Sequence, residues 1–485
     1  MSRLNNVLAA AKAKYLGLSK VKKATLWFTG CSFLQRGVSF ITVPIFTRLL
    51  TTAEYGSVSV YQSWEMVALY VITLGVPYGG FNNGMIRYKD DREGYTTSVS
   101  SLIVFMGLLW LALGALFSDV FTIGTGMSAI QTLLLIIEVT VVGIYEVWVA
   151  RMRFDYEYNK LVPATLILAV AVPALGVPLV MLTSDKVLAR ILSFVIVEVV
   201  FAVVLGRFML KRSKHVFNPE YWRFTLLFNI PLLPHYLSQV VLSSSDRIMI
   251  ANFCTASEAG IYSIAYSAGM VMALLNSSLN STVTPWVYRS MDSKEFKKIG
   301  RSCIFLLGGL ALVILAVDVL APEVVALLAP GEYSEASALI PVIAASVFFM
   351  FLYSYCSNIE LYFEKTGLVS IASIAAAVLN VVLNAVCIPL FGYQAAGYTT
   401  LACYIVLGAA HYVFAQRVAK REAGVSVLNS RGVWGIAVLF VAASVVLPLL
   451  YPYPVVRYVV LVLTVIACFV FREKLIAKFK AFRSC

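Results

Sequence analysis

The sequence predicts an all-α polytopic membrane protein with about fourteen transmembrane helices. Of its 485 residues, 60% are hydrophobic and 13% are charged, whereas soluble domains average roughly 25% charged residues. An apolar stretch of about 20 residues spans the hydrocarbon core of a bilayer. Such stretches lie at 24–48, 57–80, 97–118, 124–149, 161–183, 187–207, 225–245, 259–288, 302–320, 337–357, 367–390, 393–416, 432–451 and 455–471.

Lysine and arginine residues concentrate in every second gap between these stretches. The two tails and the alternate loops hold 32 of the 38 lysines and arginines, and the other loops hold four. Lysine and arginine near span ends accumulate on the cytoplasmic side of membranes. We therefore predict that both termini are cytoplasmic, which requires an even number of spans. Despite the net charge of +13, this placement indicates topology signals and contacts to anionic headgroups, not nucleic-acid binding.

The loops and the amino-terminal region exclude several classes of protein. The first apolar run follows a basic tail, but it is longer than the roughly 7–15 residues of a signal-peptide core, so we expect an uncleaved first span. No loop exceeds about 20 residues, which leaves no room for a soluble catalytic domain. A transporter needs none, because its site lies between helices near the midplane. The eight cysteines and three histidines form no disulfide or metal pattern, so no cofactor is expected.

An internal repeat predicts two related halves. Residues 47–57 contain an arginine followed by Glu-Tyr-Gly-Ser, and residues 246–263 contain Asp-Arg followed by Glu-Ala-Gly-Ile-Tyr-Ser. These segments follow spans 1 and 7, which cross in the same direction, so two six-helix bundles are related by a parallel pseudo-two-fold axis. In chain order we predict a basic tail (1–23), an amino-terminal lobe (24–210) and a linker (211–224). A carboxy-terminal lobe (225–416), two additional helices (417–471) and a second basic tail (472–485) follow.

Span 1 carries the first candidate binding site. Arg36 lies near its middle, where a charge costs roughly 2.5–3.5 kcal/mol on insertion scales. Ser32, Arg36, Ser39 and two threonines fall within an arc of about 80°, so span 1 has one polar stripe facing protein or a water-filled cavity. Arg36 is either a cationic site for an anionic group, since its fork matches phosphate, or the partner of a structural salt bridge, with Glu65.

Span 7 has a similar stripe. His235, Gln239 and Asp246 lie within roughly 100° of one another around the helix. Two prolines near its start predict a bend that exposes backbone carbonyls. Asp246 and Arg247 either pin the helix end as an ion pair or contact substrate, and Asp246 is also a candidate for ion coupling.

Other polar residues inside spans suggest ion coupling or packing. Glu65, Glu138, Glu146 and Glu198 are candidates for a proton or sodium relay, although each can instead partner a buried arginine, as Glu198 can partner Arg190. In span 11, two asparagines four residues apart favour hydrogen bonds between helices as a structural role. These are Asn380 and Asn384.

Several short strings, spread in order over nearly the whole chain, match a known family. They are residues 46–50 (FTRLL), 54–56 (EYG), 246–250 (DRIMI), 260–263 (GIYS), 285–286 (PW), 321–323 (APE), 360–362 (ELY), 379–384 (LNVVLN) and 389–397 (PLFGYQAAG). The chain resembles the polysaccharide-repeat-unit flippases (Wzx-type translocases of O-antigen, capsule or exopolysaccharide) of the multidrug/oligosaccharidyl-lipid/polysaccharide (MOP) exporter superfamily.

This resemblance implies a structure and a substrate. It implies bundles of spans 1–6 and 7–12 around a central cavity that opens alternately to each side. It implies a substrate with an undecaprenyl-pyrophosphate anchor, for which Arg36, Arg48 and Arg247 offer cationic contacts, and coupling to an ion gradient, commonly of protons. The implied partners are this lipid-linked oligosaccharide, membrane lipid, a polysaccharide polymerase and a chain-length regulator. The protein is expected to be a monomer.

The functional expectation is a flippase, not an enzyme. It moves the lipid-linked oligosaccharide from the cytoplasmic to the outer leaflet of a bacterial inner membrane. A drug or metabolite cation antiporter is the nearest alternative, but a cationic cargo favours a carboxylate-lined cavity, and Arg36 indicates an anion. A peptidoglycan-precursor flippase is a narrower alternative. A membrane glycan polymerase or ligase is disfavoured by the short outward loops.

Overall fold

The computed structural model describes residues 17–213 and 215–470. In those ranges every regular element is helical, so the all-α class is confirmed. The predicted tail 472–485, most of the tail 1–23, one residue of the linker and the last residue of span 14 lie outside the described residues.

The helices are long and follow one another closely. In chain order they are α1 Lys20–Leu49, α2 Thr52–Thr73, α3 Phe81–Arg87, α4 Arg92–Leu116, α5 Ser118–Thr125, α6 Ala129–Phe154, α7 Tyr158–Leu182, α8 Lys186–Arg212, α9 Pro219–Asn229, α10 Leu233–Phe253, α11 Ala256–Gly269, α12 Ala273–Asp292, α13 Phe296–Asp318, α14 Ala321–Leu328, α15 Ala336–Tyr362, α16 Thr366–Phe391, α17 Ala395–Ala423, α18 Ser430–Val446 and α19 Pro454–Val470.

Each predicted span coincides with one of these helices or with a broken pair. Among the described residues, eleven helical segments are long and apolar enough to cross a membrane. This makes the chain a multi-pass membrane protein, while α1, α2 and α19 fall short of the same criteria and the count of fourteen stays a prediction. Span 7 is broken at the prolines, where the 3₁₀ turn Ile230–Leu232 joins α9 to α10.

Contacts divide the described chain into two compact units. Unit 1 contains the described residues up to Leu50 together with Trp64–Tyr236, and unit 2 contains Thr51–Ser63 and the described residues from Leu237 onward. Helix α2 therefore contributes its first part to unit 2 and its second part to unit 1. The lobe boundaries drawn from the sequence stay predictions.

In unit 1, helix α1 packs on α7 along a single edge. Ala24, Cys31 and Phe46 are buried on that edge, and their spacing keeps them on one side of an α-helix. The rest of α1 is largely exposed, including Ser32, Arg36 and Ser39 of the polar stripe, whereas Thr47 at the end of the stripe is buried. Helices α4, α6, α7 and α8 pack on one another, and the short helices α3, α5 and α9 contact α4.

In unit 2, helix α15 lies at the centre. It is the most buried of the candidate spans in the described chain, and it contacts α11, α12, α13 and α17. Its own buried apolar residues occur on all sides of the helix, which is the pattern of a fully buried helix.

Both copies of the internal repeat begin a helix in the same way. At the start of α2, the Thr51 hydroxyl accepts from the Glu54 N–H and the Glu54 carboxylate accepts from the Thr51 N–H. At the start of α11, Thr255 accepts from the Glu258 N–H and its hydroxyl donates to the Glu258 carboxylate. The repeat therefore encodes paired Thr–Glu helix caps.

The glycines of the two copies then pack against each other in unit 2. A methyl group on Gly56 would lie 1.7 Å from the carbonyl oxygen of Ala256, and one on Gly260 would lie 2.4 Å from that of Thr52. Only glycine allows backbones to approach this closely. The glycines that occupy equivalent positions in the two copies of the repeat therefore form the contact between α2 and α11.

Candidate functional site

The polar stripe of α1 is uncovered. Ser32, Arg36 and Ser39 are exposed, and each serine hydroxyl donates to the backbone carbonyl four residues earlier. Among the described residues, Arg36 forms neither a hydrogen bond nor an ion pair, so the salt bridge to Glu65 is not present. A cation on an uncovered face of a membrane helix requires water, headgroups or a ligand around it.

Arg48, at the end of the same helix, serves a local purpose. Its guanidinium donates to the carbonyl oxygen of Pro44 over 2.8 Å. A cation there also complements the partial negative charge of the helix terminus. Arg48 and Arg36 therefore differ in their local contacts, and their assignment to one cavity stays a prediction.

Arg190 is buried against aromatic rings. Its guanidinium carbon lies 3.9 Å from the ring centre of Phe46 and 4.1 Å from that of Phe194. It also donates to the Ser193 hydroxyl over 2.9 Å. Cation–π contacts of this kind stabilise a desolvated arginine, and here they join α8 to α1.

Two of the predicted ion-coupling carboxylates come near each other in unit 1, and a third shares a tyrosine neighbour with one of them. Glu65 on α2 and Glu198 on α8 are close enough for their charges to interact, and Tyr78 interacts electrostatically with both Glu65 and Glu146. One carboxylate oxygen of Glu198 is buried without a hydrogen-bond partner among the described residues. Glu138 is also buried, two turns before Glu146 on α6.

The predicted stripe of span 7 is divided between the units. His235 is half-buried in unit 1, with its ring centre 5.9 Å from that of Tyr236. Gln239 is half-buried one turn later, in unit 2. Asp246 is fully enclosed further along α10, so these three residues do not share one environment.

Asp246 lies at the centre of a buried hydrogen-bond network. Its carboxylate accepts from the Tyr262 hydroxyl over 2.5 Å, from the Asn384 amide over 2.7 Å and from the Thr400 hydroxyl over 2.8 Å. These partners come from α11, α16 and α17. Four helices of unit 2 therefore converge on one carboxylate.

The asparagines predicted as structural belong to this same network. The Asn384 amide also donates to the Asn380 carbonyl over 3.3 Å, and the Asn380 amide donates to Thr400 over 3.2 Å. The Ser245 hydroxyl donates to Asn380 over 3.0 Å, and Thr399 donates to Asn384. Carboxylate, amide and hydroxyl oxygens are thus collected at one point inside a hydrophobic unit.

Arg247 does not pair with its neighbour Asp246. Its guanidinium carbon lies 4.2 Å from the ring centre of Tyr266, and the guanidinium donates to the carbonyl of Ser243 over 3.4 Å. Of the two alternatives for this pair, the ion pair is not formed: Arg247 makes a cation–π contact, and the hydrogen-bond donors to Asp246 are all neutral.

Sequence reasoning missed four members of the Asp246 network, including Ser245 beside Asp246 itself. Tyr262 belongs to the repeat but was not assigned a partner, and Thr399 and Thr400 were treated as part of an apolar span. Adjacent hydroxyl residues in a membrane helix were the available signal, because such side chains bond across helices.

Comparisons with known proteins agree with this architecture. A family model described as polysaccharide biosynthesis protein matches residues 21–291. The Lsg locus putative protein 1 of Haemophilus influenzae is 22% identical over 297 residues, which are 57% of this chain and 68% of that protein.

Solved structures share the fold. The lipid II flippase MurJ in its inward closed conformation has a TM-score of 0.68 at 12% identity, covering 93% of this chain and 100% of that one. An inward-facing multidrug resistance MATE transporter of the MOP superfamily has a TM-score of 0.60 at 12% identity, covering 80% of this chain and 96% of that one. The chain has the helical fold of MOP transporters, as the sequence predicted.

Proposed function

This chain belongs to the polysaccharide biosynthesis protein family, and we propose that it is a flippase for undecaprenyl-pyrophosphate-linked oligosaccharides. The proposed direction is from the cytoplasmic to the outer leaflet of a bacterial inner membrane, with both termini in the cytoplasm. Stripping water from a sugar or a pyrophosphate costs several kcal/mol per unsatisfied polar group. A polar path along helices lowers that cost, while the lipid tail stays in the bilayer.

The observation that carries this proposal is the uncovered stripe of α1. Arg36 is exposed, and among the described residues it has no ionic partner. Keeping such a charge in the middle of a membrane helix is unfavourable unless water, headgroups or a ligand surround it, and we propose that a ligand does so during transport. A guanidinium pairs with two phosphate oxygens at once, which suits a pyrophosphate anchor, and Ser32 and Ser39 offer hydroxyls beside it.

We further propose that Asp246 couples transport to an ion gradient. Its oxygens and those of Asn380 and Asn384 can bind a proton or a small cation such as sodium, and an intramembrane carboxylate of this kind is a candidate relay. Since four helices meet at Asp246, ion binding there can change how they pack. The flippase would then deliver its product to a polysaccharide polymerase and a chain-length regulator.

Deletion of the gene, followed by lipid extraction, tests the function. We expect lipid-linked oligosaccharide to accumulate in the cytoplasmic leaflet and surface polysaccharide to fall. An unchanged surface polysaccharide with an unchanged lipid-linked pool would refute the proposal. Accumulation of a peptidoglycan precursor, or altered sensitivity to cationic drugs alone, would instead favour one of the two alternatives within the superfamily.

Complementation of that deletion tests Arg36. Arg36→Gln should fail to restore surface polysaccharide at normal membrane levels of protein. Arg207→Gln is the matched control, because Arg207 is also exposed on a membrane helix but lies near the end of a span, and it should restore the wild-type amount. Equal restoration by both variants would remove Arg36 from the binding site.

A further inference from the structure

A second polar pair is enclosed in unit 2, well away from Asp246. Glu360 near the end of α15 and His411 on α17 have no exposed side-chain surface, and the Nδ1 atom of His411 lies 2.9 Å from a carboxylate oxygen of Glu360. His411 follows Thr400 by eleven residues on one helix, which is about 16 Å along its axis. This pair is therefore separate from the Asp246 network.

Half of the polar atoms in this pair are unsatisfied. Neither the Nε2 atom of His411 nor the second carboxylate oxygen of Glu360 has a hydrogen-bond partner in the part of the chain that the structure describes. Aromatic rings of Tyr353 and Phe414 flank the imidazole, with centres at 5.6 and 6.4 Å. Buried polar atoms are normally paired, so two orphans on one pair need an explanation.

The titratable surroundings of the pair are sparse. Cys356 on α15 interacts electrostatically with Glu360, and Cys303 of α13 lies beyond it. Tyr353 separates the pair from Tyr404, which in turn interacts with Asp246. Among the described residues, no lysine, arginine or further carboxylate bonds to either member.

The chemistry of the pair depends on one proton. With two protons shared between imidazole and carboxyl, the pair is neutral overall, either as an imidazolium beside a carboxylate or as an imidazole beside a carboxylic acid. Loss of one proton leaves imidazole beside carboxylate, which carries a net negative charge. A net charge is disfavoured in apolar surroundings, so the enclosed pair retains the second proton, and contact with water permits its release.

We propose that Glu360 and His411 form a proton-binding site of the transport cycle, distinct from the site at Asp246. This inference deepens the proposed ion coupling and rests on it. The bound ligand is a single proton, which the pair holds while it is enclosed and exchanges with water when the packing of α15 and α17 opens. The buried tyrosines Tyr353 and Tyr404 connect this site to Asp246 electrostatically.

Histidine spectroscopy tests the site without any substrate. The chain has three histidines, so nitrogen-15 labelling of histidine side chains gives signals from three imidazoles, each with two ring nitrogens, and His215→Gln and His411→Gln assign two of these imidazoles. In lipid nanodiscs, we expect release of the shared proton as the pH is raised to change either the His411 ring-nitrogen signals or a carboxylic-acid infrared band that Glu360→Gln removes, because the proton lies on one member of the pair or the other. A His411 signal and a carboxylic-acid band that both stay constant over the pH range in which the protein is folded would overturn the proposal.

The transport activity of a variant in which apolar residues replace both members of the pair distinguishes a proton-binding role from a packing role. The double variant Glu360→Met with His411→Leu removes both polar groups together, and such replacements often preserve stability. We expect normal protein levels but at least a tenfold loss of restored surface polysaccharide, whereas His215→Gln should restore it fully. Full restoration by the double variant, with the wild-type pH profile, would mean a packing role only. If His411 titrates while the deletion leaves lipid-linked glycans unchanged, the site stands and the flippase proposal fails.

Discussion

The stripe on α1 and the network around Asp246 place polar groups inside a membrane protein in opposite ways. Arg36 is exposed and makes no polar contact among the described residues, whereas Asp246 is buried and accepts three hydrogen bonds. An exposed, unpaired charge contributes nothing to folding and is available to a ligand. A buried, fully paired carboxylate is part of the fold, and removing it leaves its donors unsatisfied. The two regions should therefore respond oppositely when stability and transport are measured together.

Asp246→Ala is expected to have the largest effect on stability. It leaves the Tyr262, Asn384 and Thr400 donors without their acceptor, and each unsatisfied buried group costs about 1–3 kcal/mol. Thermal unfolding in detergent should show a clear fall in Tm. Asp246→Asn keeps a carbonyl acceptor, so we expect it to retain most of the stability while losing ion coupling. Equal stability of the alanine variant and the wild type would mean that the network is not part of the folded core.

Gly56→Ala should have the next largest effect. The added methyl group would overlap the backbone of Ala256, and overpacking of this kind typically costs about 1–3 kcal/mol. Gly309→Ala is the control, because its methyl group would meet no atom within 4 Å, and alanine should raise helix stability there. If both variants unfold at the same temperature, the close contact between α2 and α11 is not maintained in the membrane.

The sequence predicted the positions of the helices well, but it predicted the hydrogen-bond partners of individual side chains poorly. Every span predicted from hydropathy coincides with a helix or with a broken pair of helices, because the bilayer imposes one length and one polarity on all of them. The internal repeat identified Gly56 and Gly260, but not that they meet. Asp246 was recognised, but the two alternatives considered for it were an ion pair with the adjacent Arg247 and contact with substrate. The structure pairs Arg247 with Tyr266 instead, since partners on other helices are fixed by packing that one-dimensional patterns do not record.

Glu323→Gln should weaken the packing of α19 on the rest of unit 2, with a smaller loss of stability than Gly56→Ala. The Arg457 guanidinium donates to both carboxylate oxygens of Glu323 over 2.8 and 2.7 Å, which lowers the pKa of Glu323 to about 2. Because this pKa lies below the ordinary value of about 4.3, the stabilisation is present above that value and is lost as the pH falls toward 2. We expect a loss of roughly 1 kcal/mol, because Arg457 is buried but Glu323 is 39% exposed, and solvent around the carboxylate weakens the pair.

The matched control for this pair is Glu332→Gln, which alters an exposed carboxylate nearby in the chain. Limited proteolysis near residue 452 reports the detachment of α19 directly. Greater cleavage in Glu323→Gln than in Glu332→Gln supports the attachment, and equal cleavage contradicts it. Lowering the pH should increase cleavage of the wild type and bring it toward that of Glu323→Gln.

Arg36→Ala should change stability least of all. In the described chain its guanidinium has no polar partner to leave unsatisfied, and substitutions at uncovered positions usually stay within about 0.5 kcal/mol. Replacing a charge in mid-membrane by alanine even removes an insertion cost. The unfolding temperature should thus equal or exceed that of the wild type while surface polysaccharide is lost. A marked fall in Tm would reverse the comparison, because it would show that Arg36, like Asp246, is held by the fold and not kept for a ligand.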